Sequence, residues 1–117
     1  MRFYEALLQD RPDFTQVLAN LGDAYTRKGF YQEGLEVDKR LVRLKPEDSV
    51  VRYNLACSLS LVGDLDAALG ELKRAILLGY DEFDYIVSDK DMDNLRETEQ
   101  FKSFWRKIIK GELWKPS

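Results

Sequence analysis

Shifted against itself by 34 residues, the sequence matches in register. Asn20-Leu21-Gly22 falls on Asn54-Leu55-Ala56, Tyr25 on Leu59, Gly29 on Gly63 and Tyr31 on Leu65. Gly34-Leu35 falls on Ala68-Leu69, Leu41 on Ala75 and Leu44 on Leu78; one period earlier, Leu7 precedes Leu41 and Pro12 precedes Pro46. Self-similarity at a fixed period of this size marks units that cannot bury their apolar faces alone and must stack on a neighbour. The register aligns small, large and helix-ending residues together, so it constrains the fold more tightly than composition does.

Each unit reads as two helices. From Thr15 to about Lys28, Leu18, Leu21, Ala24 and Tyr25 form one stripe at helical spacing, and Gly29 supplies the left-handed residue that commonly ends a helix. From Tyr31 to Leu44, the apolar face is Leu35, Val37, Leu41, Val42 and Leu44. "KPED" closes it, because proline disfavours helical geometry in the residue before it. The second unit repeats the scheme: Val50 to Leu61, a "VGD" turn, then Leu65 to Leu78. Gly22, Gly34, Ala56, Ala68 and Ala75 are small where two helices must approach closely.

On these residues the chain resembles the tetratricopeptide repeat family. The columns "LANLGDAY…G-F-Y…GLEV…L…L-K-P" and "RYNLACSL…G-D-L…AALGEL…A…L" occupy the places of the family's Leu-Gly, Tyr, turn Gly, Ala, aromatic, Ala and Pro. The resemblance implies an all-α, right-handed α-α superhelix of helix-turn-helix repeats. It divides a single domain, 1–117, into a partial repeat or N-terminal helix (1–14), two repeats (15–48 and 49–82), and a degenerate repeat with a capping helix (83–117) of the kind found in bacterial members. The chain departs from the pattern at Gly34, Asp38, Leu41, Arg52 and Tyr80. The N-terminal stretch "RFYEALLQDRP" looks like a second helix lacking its first. It leaves two expectations open: a longer array, or self-association through this helix.

The residue inventory excludes several functions. No histidine occurs, which removes the commonest general base and most catalytic zinc sites. The single cysteine, Cys57, lies inside an apolar helical pattern; it reads as a buried, inert thiol and suits a reducing compartment. No phosphate-binding glycine loop is present. The chain is therefore expected to be no enzyme and to need no cofactor. A net charge of −3 argues against nucleic acid as the main partner. No stretch approaches the ~20 apolar residues of a membrane span, and "MRFYEALLQDRPDF" shows no secretion signal. A cytoplasmic location is expected.

Asp89, Asp91 and Asp93 alternate as in the start of an EF-hand calcium loop. Such a loop needs glycine at its sixth place and a bidentate Glu at its twelfth, and these places hold Asn94 and Gln100; the apolar eighth holds Arg96. Helix capping explains the acids better: Asp89 or Asp91 for the short "MDNLR" turn, and Glu97 or Glu99 for the helix that follows. That closing helix carries Phe101, Phe104, Trp105, Ile108 and Ile109 at three- and four-residue spacing, with Lys102, Arg106, Lys107 and Lys110 around them. It reads as a cap over the open apolar edge of the last unit rather than as a helix lying on an anionic membrane.

The resemblance implies a concave groove lined by the first helix of each unit, where a protein or peptide binds. Its inward columns are Gln16, Ala19, Asn20, Asp23, Thr26 and Arg27, then Val50, Tyr53, Asn54, Cys57, Ser60 and Leu61. Ala19 and Asp23 stand where a clamp for a C-terminal carboxylate would need a lysine and an asparagine, so no such clamp is expected; the second half of the groove is expected to be neutral to apolar. Asn20 and Asn54 would hydrogen-bond a ligand backbone, while Asp23 and Arg27 pair with each other. Tyr53 is either the anchor of the groove or a residue packed on the neighbouring helix. The expected function is that of an adaptor or scaffold with a protein or peptide partner, and with neither nucleic acid nor membrane. The alternative is a terminal piece of a longer array that caps it or self-associates.

Overall fold

The computed structural model describes residues 15–111. They form seven α-helices: α1 (Thr15–Arg27), α2 (Tyr31–Leu44), α3 (Ser49–Val62), α4 (Leu65–Leu77), α5 (Phe83–Ser88), α6 (Asp93–Arg96) and α7 (Glu99–Ile109). A single 3₁₀ turn, Lys90–Met92, precedes α6, and no strand occurs among the described residues. The expectation for residues 1–14 lies outside them.

Helices α3 and α4 begin 34 residues after α1 and α2 respectively, and each of the four packs on the next. The ends are set by local chemistry. Asp48 caps α3, its carboxylate accepting from the amides of Val50 (3.0 Å) and Val51 (3.1 Å). At the other end of α3, Gly63 adopts φ +88°, which lets the Asp64 amide reach back to the Leu59 carbonyl at 2.9 Å. The same closure ends α1, where Gly29 has φ +84° and the Phe30 amide donates to Tyr25. Thr98, rather than the neighbouring glutamates, caps α7 by accepting from the Phe101 amide, and Glu99 lies in the first turn.

The small residues sit at helix contacts. Ala56, Ala68 and Ala75 are fully buried, and a Cβ on Gly34 would lie 2.7 Å from the Thr26 hydroxyl of the facing helix. Arg52, placed where an apolar residue was expected, is mostly buried. Its Nη1 contacts both carboxylate oxygens of Glu71 on α4, and its Nε donates to the Pro46 carbonyl at 2.8 Å. The guanidinium thus binds α3 to α4 and to the preceding turn at once.

Apolar side chains form two clusters. The smaller joins α1 to α2 and α3 through Val17, Leu18, Leu21, Val37 and Leu41, with Val51 at its edge. The larger runs from Leu35 through α3 and α4 into Ile86, Met92, Leu95, Phe101, Phe104 and Ile108. Helix α7 thereby buries Phe101, Phe104 and Ile108 against the α3/α4 pair, while Trp105 stacks on Phe101 at 5.4 Å and meets Phe83 edge-on. Its stripe is consumed by packing, apart from Ile109, which stays 72% exposed.

Candidate functional site: an acidic cleft

A cleft of about 150 Å³ opens where α1, α2, α3, α5 and the turn after α5 converge. Helical spacing accounts for its first walls. Ala19, Asp23 and Thr26 follow one another along α1, and Tyr53, Asn54, Cys57 and Ser58 along α3. Asp38 enters from α2, Tyr85 from α5, and Asp89 and Asp91 from the turn. Four carboxylates therefore face one cleft, and no lysine or arginine lines it among the described residues.

The buried end of the cleft is a polar network. Tyr53 is 2% exposed; its ring stacks on Tyr80 at 4.2 Å, and its hydroxyl donates to Asp89 Oδ2 at 2.6 Å. The Cys57 thiol points at the same oxygen, 3.6 Å away. The other oxygen of Asp89 accepts the Asp91 amide at 3.0 Å and caps the 3₁₀ turn. Asp89 is thus a structural acceptor with both oxygens engaged. Arg96 holds the same turn from behind, donating from Nη1 to the carbonyls of Ile86 (2.8 Å) and Asp89 (2.6 Å) and pairing through Nη2 with Asp93.

Burial and like charge set the protonation states. Asp38 is buried and accepts from Ser58 Oγ. Loss of water pushes its carboxyl up to about 7, the Ser58 hydrogen bond opposes this, and Asp23 adds to it. Asp91 is raised by burial first and by Asp89 second. Burial, reinforced by the Asp89 charge, drives the Cys57 thiol far above its ordinary range. Tyr53 is raised chiefly by burial, and Tyr85 chiefly by the Asp89 charge.

Of the expected groove columns, Ala19, Asp23, Thr26, Tyr53, Asn54 and Cys57 line this cleft. Gln16, Asn20, Arg27, Val50 and Leu61 do not. Gln16 instead donates to Asn20 Oδ1 at 3.1 Å, Arg27 pairs with Asp23 at 3.0 Å, and Val50 stands 54% exposed away from the cleft. Ser60 is fully buried, its hydroxyl accepting from the Leu95 amide at 3.2 Å. The expectation of a neutral to apolar second half is corrected, because the turn after α5 folds back over α3 and brings Asp89 and Asp91 with it. The sequence carried one signal for this, an aspartate at position 38 in a column otherwise apolar.

No family profile matches the chain. It is 36% identical over 83 residues to a chloroplastic protein of Arabidopsis thaliana, an alignment covering 68% of this chain and 25% of that protein. The chain thus spans about a quarter of the length of the curated relative it matches. Among the described residues no helix is long and apolar enough to cross a membrane.

Proposed function

We propose that the chain is a non-enzymatic protein-interaction module of the tetratricopeptide type, whose first helices present a groove to a peptide or partner segment. The observation that carries this reading is the convergence of α1 and α3, 34 residues apart, on one cleft with exposed polar groups at its mouth. Consecutive helix packing and the glycine-closed turns fit a right-handed superhelix of such units. Asp23, Asn54 and Tyr85 are exposed, whereas Tyr53 and Cys57 are not. The ligand therefore meets polar groups at the mouth, and the four aspartates lining the cleft favour a donor-rich or cationic segment over an acidic tail. A role as adaptor follows, in an aqueous, reducing compartment such as the cytoplasm.

The test is selection of a displayed random peptide library on the full chain, followed by binding titrations with Asp23→Lys/Asn54→Lys. Both positions are exposed on helices, so the variant should fold, as circular dichroism would check. A class of selected peptides should lose at least about tenfold in affinity, ~1.4 kcal/mol. If no selected peptide responds to this variant, the cleft is not the groove's binding centre.

A second reading, a piece that caps or self-associates within a longer array, draws on one feature. Phe83, Val87, Trp105 and Ile109 line an open apolar depression of about 390 Å³ at the α5/α7 end. A concentration-dependent mass in sedimentation that is abolished by Ile109→Glu would favour it.

A further inference from the structure

A second groove, of about 440 Å³, lies between α4 and α7 and shares no residue with the acidic cleft. Its apolar surface is Leu69, Ile76 and Leu77 from α4 and Phe104 from α7. Leu77 projects at the lip with 75% of its surface exposed, although it lies one residue from the almost fully buried Ile76. Each wall contributes one lysine: Lys73 from α4, its ammonium 5.3 Å from the centre of the Phe104 ring, and Lys107 from α7. Neither lysine pairs with a carboxylate among the described residues. The remaining wall residues, Gln100 and Ser103, are neutral, so no acid among the described residues lines the groove.

The geometry points to a docking site for an acidic amphipathic helix of a partner protein, distinct from the cleft of the proposed function. The trough between two helices takes the ridge of a third, with apolar residues three and four apart set on Leu69, Ile76, Leu77 and Phe104. Carboxylates flanking that ridge meet Lys73 on one side and Lys107 on the other, and this charge complementarity sets the choice of partner. A lipid surface fits less well. The apolar stripe of α7 is already buried in the core through Phe101, Phe104 and Ile108, and the groove is concave.

The peptide selection on the full chain separates the two sites. Peptides for this groove should carry a net negative charge and large apolar residues at helical spacing. Their affinity, read by fluorescence anisotropy, should fall at least about tenfold in Lys73→Glu/Lys107→Glu, weaken with added salt, and remain unchanged in Asp23→Lys/Asn54→Lys. Leu77→Ser, which leaves both charges in place, should weaken the same peptides. The inference is overturned if no acidic amphipathic class is selected, or if that class ignores the lysine reversal. It is equally overturned if the lysine reversal abolishes self-association in sedimentation, or abolishes binding to vesicles of anionic phospholipid, since a second copy or a membrane would then be the occupant.

Discussion

Replacing Asp38 by Asn should stabilise the protein, and the gain should depend on pH. Asp38 is 8% exposed and its folded-state carboxyl titrates at about 7, against 3.8 for an ordinary aspartate. Between those values the native state holds more protons than the unfolded chain, so stability falls as pH rises through about 4 to 7. Below this window the acid is neutral in both states and costs nothing. Above it the whole penalty is present, at most ~4 kcal/mol for a shift of about three pH units. Asn matches the shape, and its carbonyl can still accept from Ser58 Oγ, but its new N–H groups need partners at the cleft. The net gain above about pH 8 is therefore about 2–3 kcal/mol, with almost none near about pH 4. Urea denaturation of both proteins across this range reads the difference directly. Ser58→Ala supplies an internal check: it removes the one interaction that holds the pKa down, so the break should move to higher pH. Parallel stability curves for wild type and Asp38→Asn would refute the reasoning. So would a variant less stable than wild type above the window, which would mean that the Asp38–Ser58 bond favours the charged acid more than burial opposes it.

Tyr53→Phe keeps the stack on Tyr80 but takes from Asp89 its shortest donor, so it should cost ~1–3 kcal/mol in chemical denaturation; a change under ~0.5 kcal/mol would remove that bond from the account. Gly34→Ala and Gly70→Ala should differ in sign. The first puts a methyl against the Thr26 hydroxyl and should be tolerated only together with Thr26→Ala, whereas the second meets open space and should gain up to ~1 kcal/mol of helix propensity. Equal midpoint shifts for the two glycines would contradict the contact. Phe104→Ala should lower stability by ~3–5 kcal/mol, since its buried ring joins α7 to the larger core; an unchanged urea midpoint would make α7 an appendage.

The helices were legible because their signals are local and periodic. Gly29, Gly63 and the turn at Pro46 fixed the ends to within a residue or two, and the stripes on α2 and α7 marked the buried faces except at their ends, where Leu44 and Ile109 are exposed. The cleft was half legible. A 3.6-residue period places Ala19 with Asp23, and Tyr53 with Cys57, but it says nothing of what lies across from them. Asp89 and Asp91 arrive through a non-periodic fold-back, and Asp38 through a polar substitution within a core column, so no helical pattern announced them. Burial was the other gap. Tyr53 sat on the expected face, yet Tyr80 and Asp89 cover it, which only the tertiary closure reveals.

Polar ties run from α3 into the segment that follows α5: Tyr53 to Asp89, the Leu95 amide to Ser60, and the Asn94 side-chain amide to the Ser60 carbonyl at 3.1 Å. A chain assembled by copying interchangeable units could in principle be lengthened at any unit boundary. Here an insertion after residue 82 would strip several acceptors and donors of their partners at once, and leave Ser60 and Tyr53 facing the newcomer. Fewer polar ties cross between α2 and α3: the Asp38–Ser58 pair joins them, and Leu35 of α2 and Val51 of α3 interlock the two apolar clusters. Recombination, whether by evolution or by design, should therefore keep residues 46–111 together as one cassette, so that the Asp48 cap and the Pro46 acceptor of Arg52 travel with α3.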